Sequence, residues 1–544
     1  MHPLYLQNDK MKKNTIRGIQ MSDNKFHILL LPHGRQIDGK PGINLMETLM
    51  GQSIFLRSDC GGKGVCKKCR IKIIPTKGDP EFKEACNFIA SEDISIEIPE
   101  ISMLSSHIIN KAPASLPAVF NNRFKDATGV KTFGIAVDLG TTTIAVYLCN
   151  ITKGKVVSSL AVKNPQALYG DDVMSRIGAI GQQGNNLDYL QKLVVRAIEW
   201  GIKELLTSLD LKEEIISKMV TVGNPTMIHI LAGINPKSIG VSPYFPAFYE
   251  ARNIYSNDLG FKIKNFLIQL LPQISGFIGG DILGATMAVD LENQPEGTLL
   301  IDLGTNGELM LKGKDRFFAT SCATGPAFEG ASLSCGMQAI PGAINKVLIK
   351  NLDELPKYTI INPSNSSRLK PSGICGTGVI SAVAQLLQRS IILPGGAFKK
   401  EFSKEKKYIL VPKSSSADGC AVFISQKDIR SVQLGKAALI TGIEFLLKKA
   451  GLKKAEKIII AGAFGTFIDK TDMITLGMIP SIDPGKIEVA GNSAGAGAVM
   501  VLCEKNYLDK AIQMTKKIIV VDLACNQDFQ DVFVQKLNFP DLII

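Results

Sequence analysis

Four of the eleven cysteines in this 544-residue chain lie in one short stretch. They follow the pattern C-x5-C-x2-C-x16-C and comprise Cys60, Cys66, Cys69 and Cys86. Four thiolates near one loop can hold either a zinc ion or an iron–sulfur cluster. This stretch is therefore the first candidate for chemistry in the sequence, as a metal centre.

The spacing of these cysteines favours an iron–sulfur cluster. The plant-type ferredoxin loop has the pattern C-x4-C-x2-C and a distant fourth cysteine, so the first spacer here is one residue longer. Zinc sites more often use two separated C-x2-C pairs, and this stretch has one. Gly61, Gly62 and Gly64 can take positive φ and turn backbone N–H groups towards an anionic cluster. We predict a 2Fe-2S cluster, with zinc or a redox-active dithiol as the alternatives.

The other seven cysteines are isolated in the sequence. An odd total in a large chain, with no apolar stretch in residues 1–20 that would form a secretory signal, argues against a disulfide framework. Isolated cysteines usually act as small buried hydrophobic residues. We expect that role for Cys149, Cys322, Cys335, Cys375, Cys420, Cys503 and Cys525.

A second kind of chemistry is indicated by a repeated turn. The stretch Asp138-Leu-Gly140-Thr141-Thr142-Thr143 joins two apolar strands, and Asp302-Leu-Gly304-Thr305-Asn306-Gly307 repeats the arrangement about 160 residues later. The glycine lets each hairpin close tightly, and the hydroxyls and amides of the turn can bind phosphate oxygens. Each aspartate ends a strand, where it can hold magnesium directly or through water. Two such units predict a duplicated α/β domain that binds a nucleotide.

Two further glycine-rich turns fit a nucleotide site. Gly462 and Gly465 lie in a turn that follows the apolar strand 457–460, and small residues there let a purine ring approach the backbone. Gly376 opens a predicted helix whose first amides can approach phosphate. The P-loop pattern G-x4-G-K-[ST] is absent from the sequence, so the nucleotide must be bound in another way. The small residues of 491–497 predict close packing between helices.

Composition narrows the function classes. Hydrophobic residues make up 45% of the chain and charged residues 21%, which is typical of a globular protein of several domains. No run of 18 apolar residues is present, so we expect no membrane insertion and a cytoplasmic protein. The net charge is +12, which favours acidic partners or anionic ligands. Because basic residues are scattered and only 6% of residues are aromatic, nucleic-acid binding is not expected.

The predicted elements place these motifs in order along the chain. Alternating residues predict strands at 26–34, 70–74 and 94–98 around the cysteine stretch, with a short helix at 46–51. Periodicity fades over residues 101–132, which we interpret as a linker that lets the cysteine domain move. Helical periodicity returns over 434–450 and ends at Gly451.

Together these motifs resemble known proteins. The two hairpins and the glycine turn resemble the actin, sugar-kinase and heat-shock-chaperone superfamily of ATPases. Segments at 223–227, 325–331, 373–378 and 461–465, together with the cysteine stretch, narrow the resemblance to the reductive activators of corrinoid proteins. It extends from about residue 25 to the C-terminus. It implies a multidomain α+β and α/β fold, in which a ferredoxin-like β-grasp domain precedes duplicated actin-like, ribonuclease-H-like ATPase domains.

The resemblance also implies a domain plan. Residues 1–24 lie before the resemblance begins, and we expect them to form a disordered leader in which Met11 and Met21 are alternative starts. Residues 25–100 form the 2Fe-2S domain. The linker spans 101–132. The first actin-like half, with the first phosphate hairpin, spans 133–218. The second half, with the second hairpin and the adenosine turn, spans 219–544.

Activity and site residues are implied in the same way. The family rescues corrinoid methyl carriers whose cobalt has oxidised to inactive Co(II), returning one electron to give Co(I) with coupled ATP hydrolysis. The implied cofactors are a 2Fe-2S cluster on Cys60, Cys66, Cys69 and Cys86, together with ATP and Mg²⁺. Asp138 and Asp302 position magnesium and the attacking water. The nucleotide contacts are Gly140, Thr141, Thr142, Thr143, Gly304, Thr305, Asn306, Gly376, Gly462 and Gly465.

The implied partners are a corrinoid methyl-carrier protein, a low-potential electron donor such as a ferredoxin, and a second copy of the chain in a homodimer. Glu329 is left with two roles, as a polar member of the cleft or as a helix cap. Three other functions stay open. They are an ATP-driven electron donor to another low-potential enzyme such as a dehydratase, a small-molecule kinase with a redox sensor, and a binding module with structural ATP.

Overall fold

The computed structural model describes most of the chain. It describes all residues except 1–25, 33, 40, 53, 57–61, 63, 65–66, 76–78, 100–101, 104–114, 124–131, 171, 183–185, 331, 363–368, 403–405, 463–467, 525 and 542–544. The predicted site residues Cys60, Cys66 and Gly465 lie outside the described residues, as does the predicted leader.

The N-terminal domain is a five-stranded sheet with one helix. Its strand order is β2-β1-β5-β3-β4, with β1 parallel to β5 and the other neighbours antiparallel. Phe26, Ile28 and Leu30 alternate into the core, as their spacing predicts. The elements are β1 (Phe26–Leu31), β2 (Arg35–Gly39), α1 (Leu45–Gly51), β3 (Arg70–Ile74), β4 (Glu81–Glu84) and β5 (Ile94–Glu97).

The second sheet carries the first D-L-G-T turn. Its order is β10-β11-β9-β6-β7-β8, in which β6, β7 and β8 form an antiparallel meander and β9 pairs parallel with β6. Its strands are β6 (Phe133–Leu139), β7 (Thr143–Asn150), β8 (Lys155–Lys163), β9 (Ile216–Gly223), β10 (Arg252–Tyr255) and β11 (Leu267–Leu270). Four helices belong to the same part of the chain, namely α2 (Ala118–Arg123), α3 (Val173–Gln182), α4 (Asn186–Ser208) and α5 (Pro225–Leu231).

The predicted boundary between residues 218 and 219 falls inside β9, a central strand of this sheet. The pairing of β9 with β6 follows a crossover through α3 and α4. It is a long-range contact that local hairpin patterns do not encode.

The third sheet repeats this arrangement around the second D-L-G-T turn. Its order is β21-β20-β12-β13-β14-β22, with β12, β13 and β14 antiparallel and β20 parallel to β12. The duplication predicted from the two turns is therefore present, because five strands of each sheet correspond in order. The sixth strand differs, since β10 lies beside β11 at one edge and β22 lies beside β14 at the other. The strands are β12 (Thr298–Leu303), β13 (Gly307–Lys312), β14 (Phe317–Cys322), β20 (Lys457–Ala461), β21 (Ile487–Gly491) and β22 (Ile518–Val520).

Helices and two small sheets complete the second half. Helix α8 ends at Gly451 in left-handed geometry, as its sequence predicts. The small sheets contain β15 (Ala343–Leu348), β16 (Lys357–Ile360), β17 (Gly373–Ile374), β18 (Lys407–Val411) and β19 (Val422–Ser425). The helices are α7 (Gly376–Gln388), α8 (Gln426–Ala450), α9 (Lys470–Thr475) and α12 (Phe529–Gln535).

Three helices lie between the two large sheets, and their buried residues share one core with both. They are α6 (Gly280–Ala288), α10 (Ser493–Cys503) and α11 (Asn506–Thr515). A Cβ at Gly497 would lie only 2.2 Å from the carbonyl oxygen of Gly284, so α6 and α10 touch backbone to backbone. This is the close helix packing predicted for residues 491–497.

Part of the region interpreted as a linker is ordered against the second half. Within residues 101–132, α2 buries Phe120 in the core between the sheets, and Arg123 forms an ion pair with Glu504. Among the isolated cysteines, burial is confirmed for Cys149, Cys322 and Cys375, whereas Cys335 and Cys503 are half-buried and Cys420 is exposed, contrary to the prediction. Cys525 lies outside the described residues. No helix within the described ranges is long and apolar enough to cross a membrane.

Candidate functional site

The turn between β6 and β7, which we call hairpin 1, is closed by glycine. The amide of Gly140 donates to the carbonyl of Thr143 at 3.1 Å, and a Cβ at position 140 would lie 2.7 Å from that oxygen. Only glycine permits so tight a turn. Thr141 is buried, and its hydroxyl accepts a hydrogen bond from Asn224 at 2.9 Å. The hairpin therefore presents Thr142 and Thr143 at a fixed position.

The turn between β12 and β13, hairpin 2, has equivalent geometry. The amide of Gly304 donates to the carbonyl of Asn306 at 2.9 Å. The hydroxyl of Thr324 lies 3.2 Å from the carbonyl of Thr305 and 3.4 Å from that of Gly304. Each half thus supplies one glycine-closed turn with a threonine hydroxyl.

The two hairpins meet at Glu329. One oxygen of its carboxylate, Oε2, accepts from the Thr142 hydroxyl at 2.5 Å and from the Thr305 hydroxyl at 2.7 Å. The two hydroxyls are themselves 2.9 Å apart. Glu329 ends a short 3-10 helix, Pro326–Glu329, against which α7 packs. Of the two roles left open for it, Glu329 is thus a polar member of the cleft, and the sequence-predicted threonines are brought together around it.

Asp138 and Asp302, the predicted magnesium residues, lie at the ends of corresponding strands. Asp138 is buried and accepts from Asn492 at 2.8 Å, and the same amide lies 2.7 Å from the Tyr147 hydroxyl. Asp302 lies beside Gly462 of the predicted adenosine turn, because a Cβ at Gly462 would stand 2.8 Å from its Oδ1. The two aspartates therefore approach the cleft from opposite halves.

Two more carboxylates join them that the sequence reasoning missed. Burial, and then the charges of Asp302 and Asp138, raise the pKa of Asp281 from its ordinary value of 3.8 to about 7. Burial, followed by the charges of Asp281 and Asp302, raises the pKa of Glu308 well above its usual range. The signals available in the sequence were the paired glycines before Asp281 and the position of Glu308 directly after hairpin 2.

These carboxylates fit a magnesium ion that is held largely through water and phosphate. They do not form a site in which several side chains ligate a metal ion directly. In the described part of the chain, no set of three or more His, Cys, Asp and Glu side chains is arranged to hold a metal ion. Magnesium usually keeps several waters and takes one or two carboxylates together with substrate phosphates. Burial and the mutual repulsion of the carboxylates raise the pKa values of Asp281 and Glu308, and a bound Mg²⁺ would offset that repulsion.

Of the four predicted cysteine ligands, the structure describes Cys69 and Cys86. The Sγ atoms of Cys69 and Cys86 are 3.5 Å apart, and both side chains are buried and free of disulfide bonds. Gly62 and Gly64 have φ of 80° and 72°, the positive values expected for a loop that wraps an anionic group. Two adjacent buried thiols beside such a loop fit the thiolate ligands of a metal centre.

Two further predicted residues lie at the ends of their elements, because Gly462 directly follows β20 and Gly376 is the first residue of α7. Gly462 has φ of 91°, and its amide donates to Gly491 at 2.9 Å in the neighbouring strand. Gly376 begins α7, and no side chain caps that helix end. Its first amides are thus not occupied by a capping side chain.

Two six-stranded sheets, each with a glycine-closed hairpin and an aspartate at a strand end, define an actin-like ATPase fold. The chain matches the family model described as the middle region of RACo over residues 133–294. It also matches the model described as the C-terminal domain of RACo, the ASKHA domain, over residues 296–543.

Similar proteins agree with these family models. "Corrinoid activation enzyme RamQ" of Eubacterium limosum is 30% identical over 430 residues, covering 76% of this chain and 71% of the relative. A "[Co(II) methylated amine-specific corrinoid protein] reductase" of Methanosarcina barkeri is 28% identical over 446 residues, covering 75% and 77%. A solved structure, "Reductive activator for corrinoid,iron-sulfur protein", aligns with TM-score 0.70 at 26% identity over 95% of this chain and 98% of that one. The chain belongs to the family of reductive activators of corrinoid proteins.

Proposed function

We propose that this protein returns one electron to a corrinoid methyl-carrier protein, converting its inactive Co(II) to Co(I), and couples the transfer to ATP hydrolysis. The electron comes from a low-potential donor such as a ferredoxin. The observation that carries the proposal is the meeting of Thr142, Thr305 and Glu329 between the two halves of an activator-family chain. It supplies a phosphate site whose hydroxyls come from both halves, so that a bound nucleotide acts on their relative position.

Support for a 2Fe-2S cluster comes from the N-terminal domain. Its sheet, with β1 parallel to β5 and a helix packed in the same core, supports a ferredoxin-like β-grasp domain. Cys69 and Cys86 stand as adjacent buried thiols, and Cys60 and Cys66 complete the proposed ligand set. When bound, such a cluster supplies a one-electron store at low potential.

The nucleotide site is proposed from the residues of the cleft. Thr142 and Thr305, with Thr141, Thr143, Asn306 and the glycines of both turns, bind the phosphates through hydroxyls and amides. Asp138 and Asp302 position Mg²⁺ and the attacking water. Gly462 and Gly465 flank the adenosine, and Gly376 directs helix amides at phosphate. A cytoplasmic homodimer completes the proposal.

ATP must supply the free energy that is needed to reduce an acceptor of lower potential than the cluster. If the acceptor lies ~180 mV below a plant-type cluster, only about one acceptor in a thousand is reduced without coupling. That deficit is roughly 4 kcal/mol. A ligand-driven shift of a two-state equilibrium from 1:99 to 99:1 needs about 5.5 kcal/mol, so a nucleotide that changes the arrangement of the halves can meet it.

The test is an anaerobic cobalt assay. A Co(II) corrinoid carrier protein, a reductant and this protein are mixed, ATP is added last, and Co(I) is followed by its visible spectrum. We expect Co(I) only after ATP, and none with Cys69→Ala. Cys420→Ala, which removes an exposed cysteine far along the chain, is the matched control and should behave as the wild type. Co(I) formation that does not depend on ATP, or none with several carriers, would refute the proposal.

A second variant tests coupling directly. Asp302→Ala should lower ATP turnover by about a hundredfold or more, because a group that positions the metal and water is lost. Co(I) formation should fall by a similar factor. Cobalt reduction that persists while ATP turnover is abolished would show that the two processes are not coupled.

A further inference from the structure

One short segment touches both hairpin 1 and the cysteine loop (residues 60–69). This bridging segment, residues 164–168, begins directly after β8. The amide of Asn164 donates to the carbonyl of Thr142 at 2.8 Å, and its side-chain amide donates to that of Gly140 at 3.0 Å. Asn164 is fully buried. One residue therefore holds two of the three carbonyls of the phosphate turn.

The third carbonyl is held through the same segment. Arg176 donates to the carbonyl of Thr141 at 2.6 Å and to the side-chain oxygen of Gln166 at 3.2 Å. Gln166 in turn donates its backbone amide to the side chain of Asn164 at 3.0 Å. Asn164, Gln166 and Arg176 are all fully buried. The turn and the bridging segment are thus joined by buried hydrogen bonds, so that a displacement of one strains its bonds to the other.

The far end of the segment touches the cysteine loop. A Cβ at Gly62 would lie 2.4 Å from Cδ2 of Leu168 and 4.0 Å from Cβ of Cys86. Leu168 therefore fills the space over Gly62, next to a proposed cluster ligand. Close by, Met46, Met50, Phe55 and Leu56 of the N-terminal domain line one small cavity together with Pro165, Ala167 and Leu168. The bridging segment therefore adjoins the N-terminal domain at more than the single contact with Gly62.

The segment itself is short. It continues into a 3-10 helix, Pro165–Tyr169, with proline at its first position and Asn164 as its cap. Proline fixes φ at residue 165, and the amide of Ala167 donates to the carbonyl of Asn164 at 3.2 Å. Leu168 therefore directly follows a turn that is hydrogen-bonded to Asn164.

We infer that the bridging segment couples the nucleotide site to the iron–sulfur site, with Asn164 as the positioning residue at the phosphate turn and Leu168 as the positioning residue at the cysteine loop. The inference rests on the proposed function, which makes hairpin 1 a phosphate site and the cysteine loop a cluster site. It adds the physical route between them, through contiguous packed and hydrogen-bonded groups.

Hydrogen exchange of the full-length, cluster-loaded protein tests the route without a corrinoid partner. Amide exchange of residues 84–90, around Cys86, is measured with and without Mg²⁺ and a non-hydrolysable ATP analogue. We expect the analogue to change these rates at least threefold in the wild type and to have no effect on them in Leu168→Ala. The affinity for the analogue should stay within threefold.

Leu211→Ala is the matched control. Leu211 is also a partly buried leucine on the same core, and its variant should keep the full response. Leu168→Val, which shortens the side chain where it reaches Gly62 and keeps most of its volume, should weaken the response if Leu168→Ala is unstable. A response in Leu168→Ala equal to that of the control, or no response in a wild type that binds the analogue, would overturn the inference. A normal exchange response without ATP-dependent Co(I) would instead refute the proposed function and leave the route standing.

Discussion

Hairpin 1 and hairpin 2 close in the same way, through a glycine amide that donates to a backbone carbonyl across the turn. Their supports differ. The carbonyls of residues 140, 141 and 142 are held by the buried side chain and amide of Asn164 and by Arg176. At hairpin 2 the hydroxyl of Thr324, which has one proton to donate, lies between the carbonyls of Gly304 and Thr305. Duplication has kept the turn and changed its support.

The difference follows from what each hairpin adjoins. Hairpin 1 belongs to the half on which the N-terminal domain rests, where Phe55 meets Trp200 edge to face at 6.3 Å and Leu168 lies over Gly62. Asn164, which supports hairpin 1, and Leu168, which contacts the N-terminal domain, both belong to the bridging segment. Fixed support suits a turn that must pass a displacement on.

The largest expected effect comes from removing the support of hairpin 1. Asn164→Ala leaves the buried carbonyl of Gly140 and the amide of Gln166 without their partner, so we expect a loss of about 3 kcal/mol in the free energy of unfolding. The KM for ATP should rise about tenfold. Thr324→Val, the equivalent change at hairpin 2, should cost about 1 kcal/mol. Denaturant unfolding and ATPase kinetics measure both, and equal losses would remove the proposed asymmetry.

A smaller effect is expected from Asp281, which faces Asp138 of one half and Asp302 of the other. Its pKa is raised to about 7 from 3.8, chiefly by burial, so the folded protein holds this proton more tightly than the unfolded chain does. The resulting stability is full below about pH 4 and is lost as pH rises through 7. Between pH 5 and 7, without Mg²⁺, the unfolding free energy should fall about 2 kcal/mol more in the wild type than in Asp281→Asn. Parallel pH curves would contradict this.

The smallest effect concerns the group shared by both hairpins. Glu329→Gln keeps the shape but replaces a charged acceptor with a neutral one, which weakens the bonds from Thr142 and Thr305. We expect a loss of about 1 kcal/mol in unfolding free energy. Glu354→Gln, a change at an exposed glutamate that accepts from Asn351, is the control and should be neutral. Thermal unfolding compares the stability of the two variants. An unchanged unfolding free energy in Glu329→Gln would mean that the carboxylate does not link the halves.

Features set by neighbouring residues were predictable from the sequence. Both hairpins, the strands at 70–74 and 457–461 and the end of α8 at Gly451 follow from short patterns of apolar residues and glycine. The actin-like duplication was predictable because each copy carries its own local signature. The roles of the cysteines and of the nucleotide contacts stay predictions.

Features that depend on distant partners were not predictable. Asn164 and Arg176 are ordinary polar residues until folding buries them against hairpin 1. The pKa of Asp281 is raised chiefly because folding buries the side chain, and further because Asp302 and Asp138 come near it. The position of β9 in the middle of its sheet depends on a crossover of more than fifty residues. Each is a tertiary contact with no local pattern.

The contact between Gly284 and Gly497 sets the distance between helices α6 and α10. A methyl group at residue 497 would stand 2.2 Å from the backbone of α6, where no side chain can move aside to accept it. Both helices belong to the core shared by the two sheets. The distance between α6 and α10 is therefore set by the absence of a side chain at these two positions, and a single added methyl group would force the two helices apart.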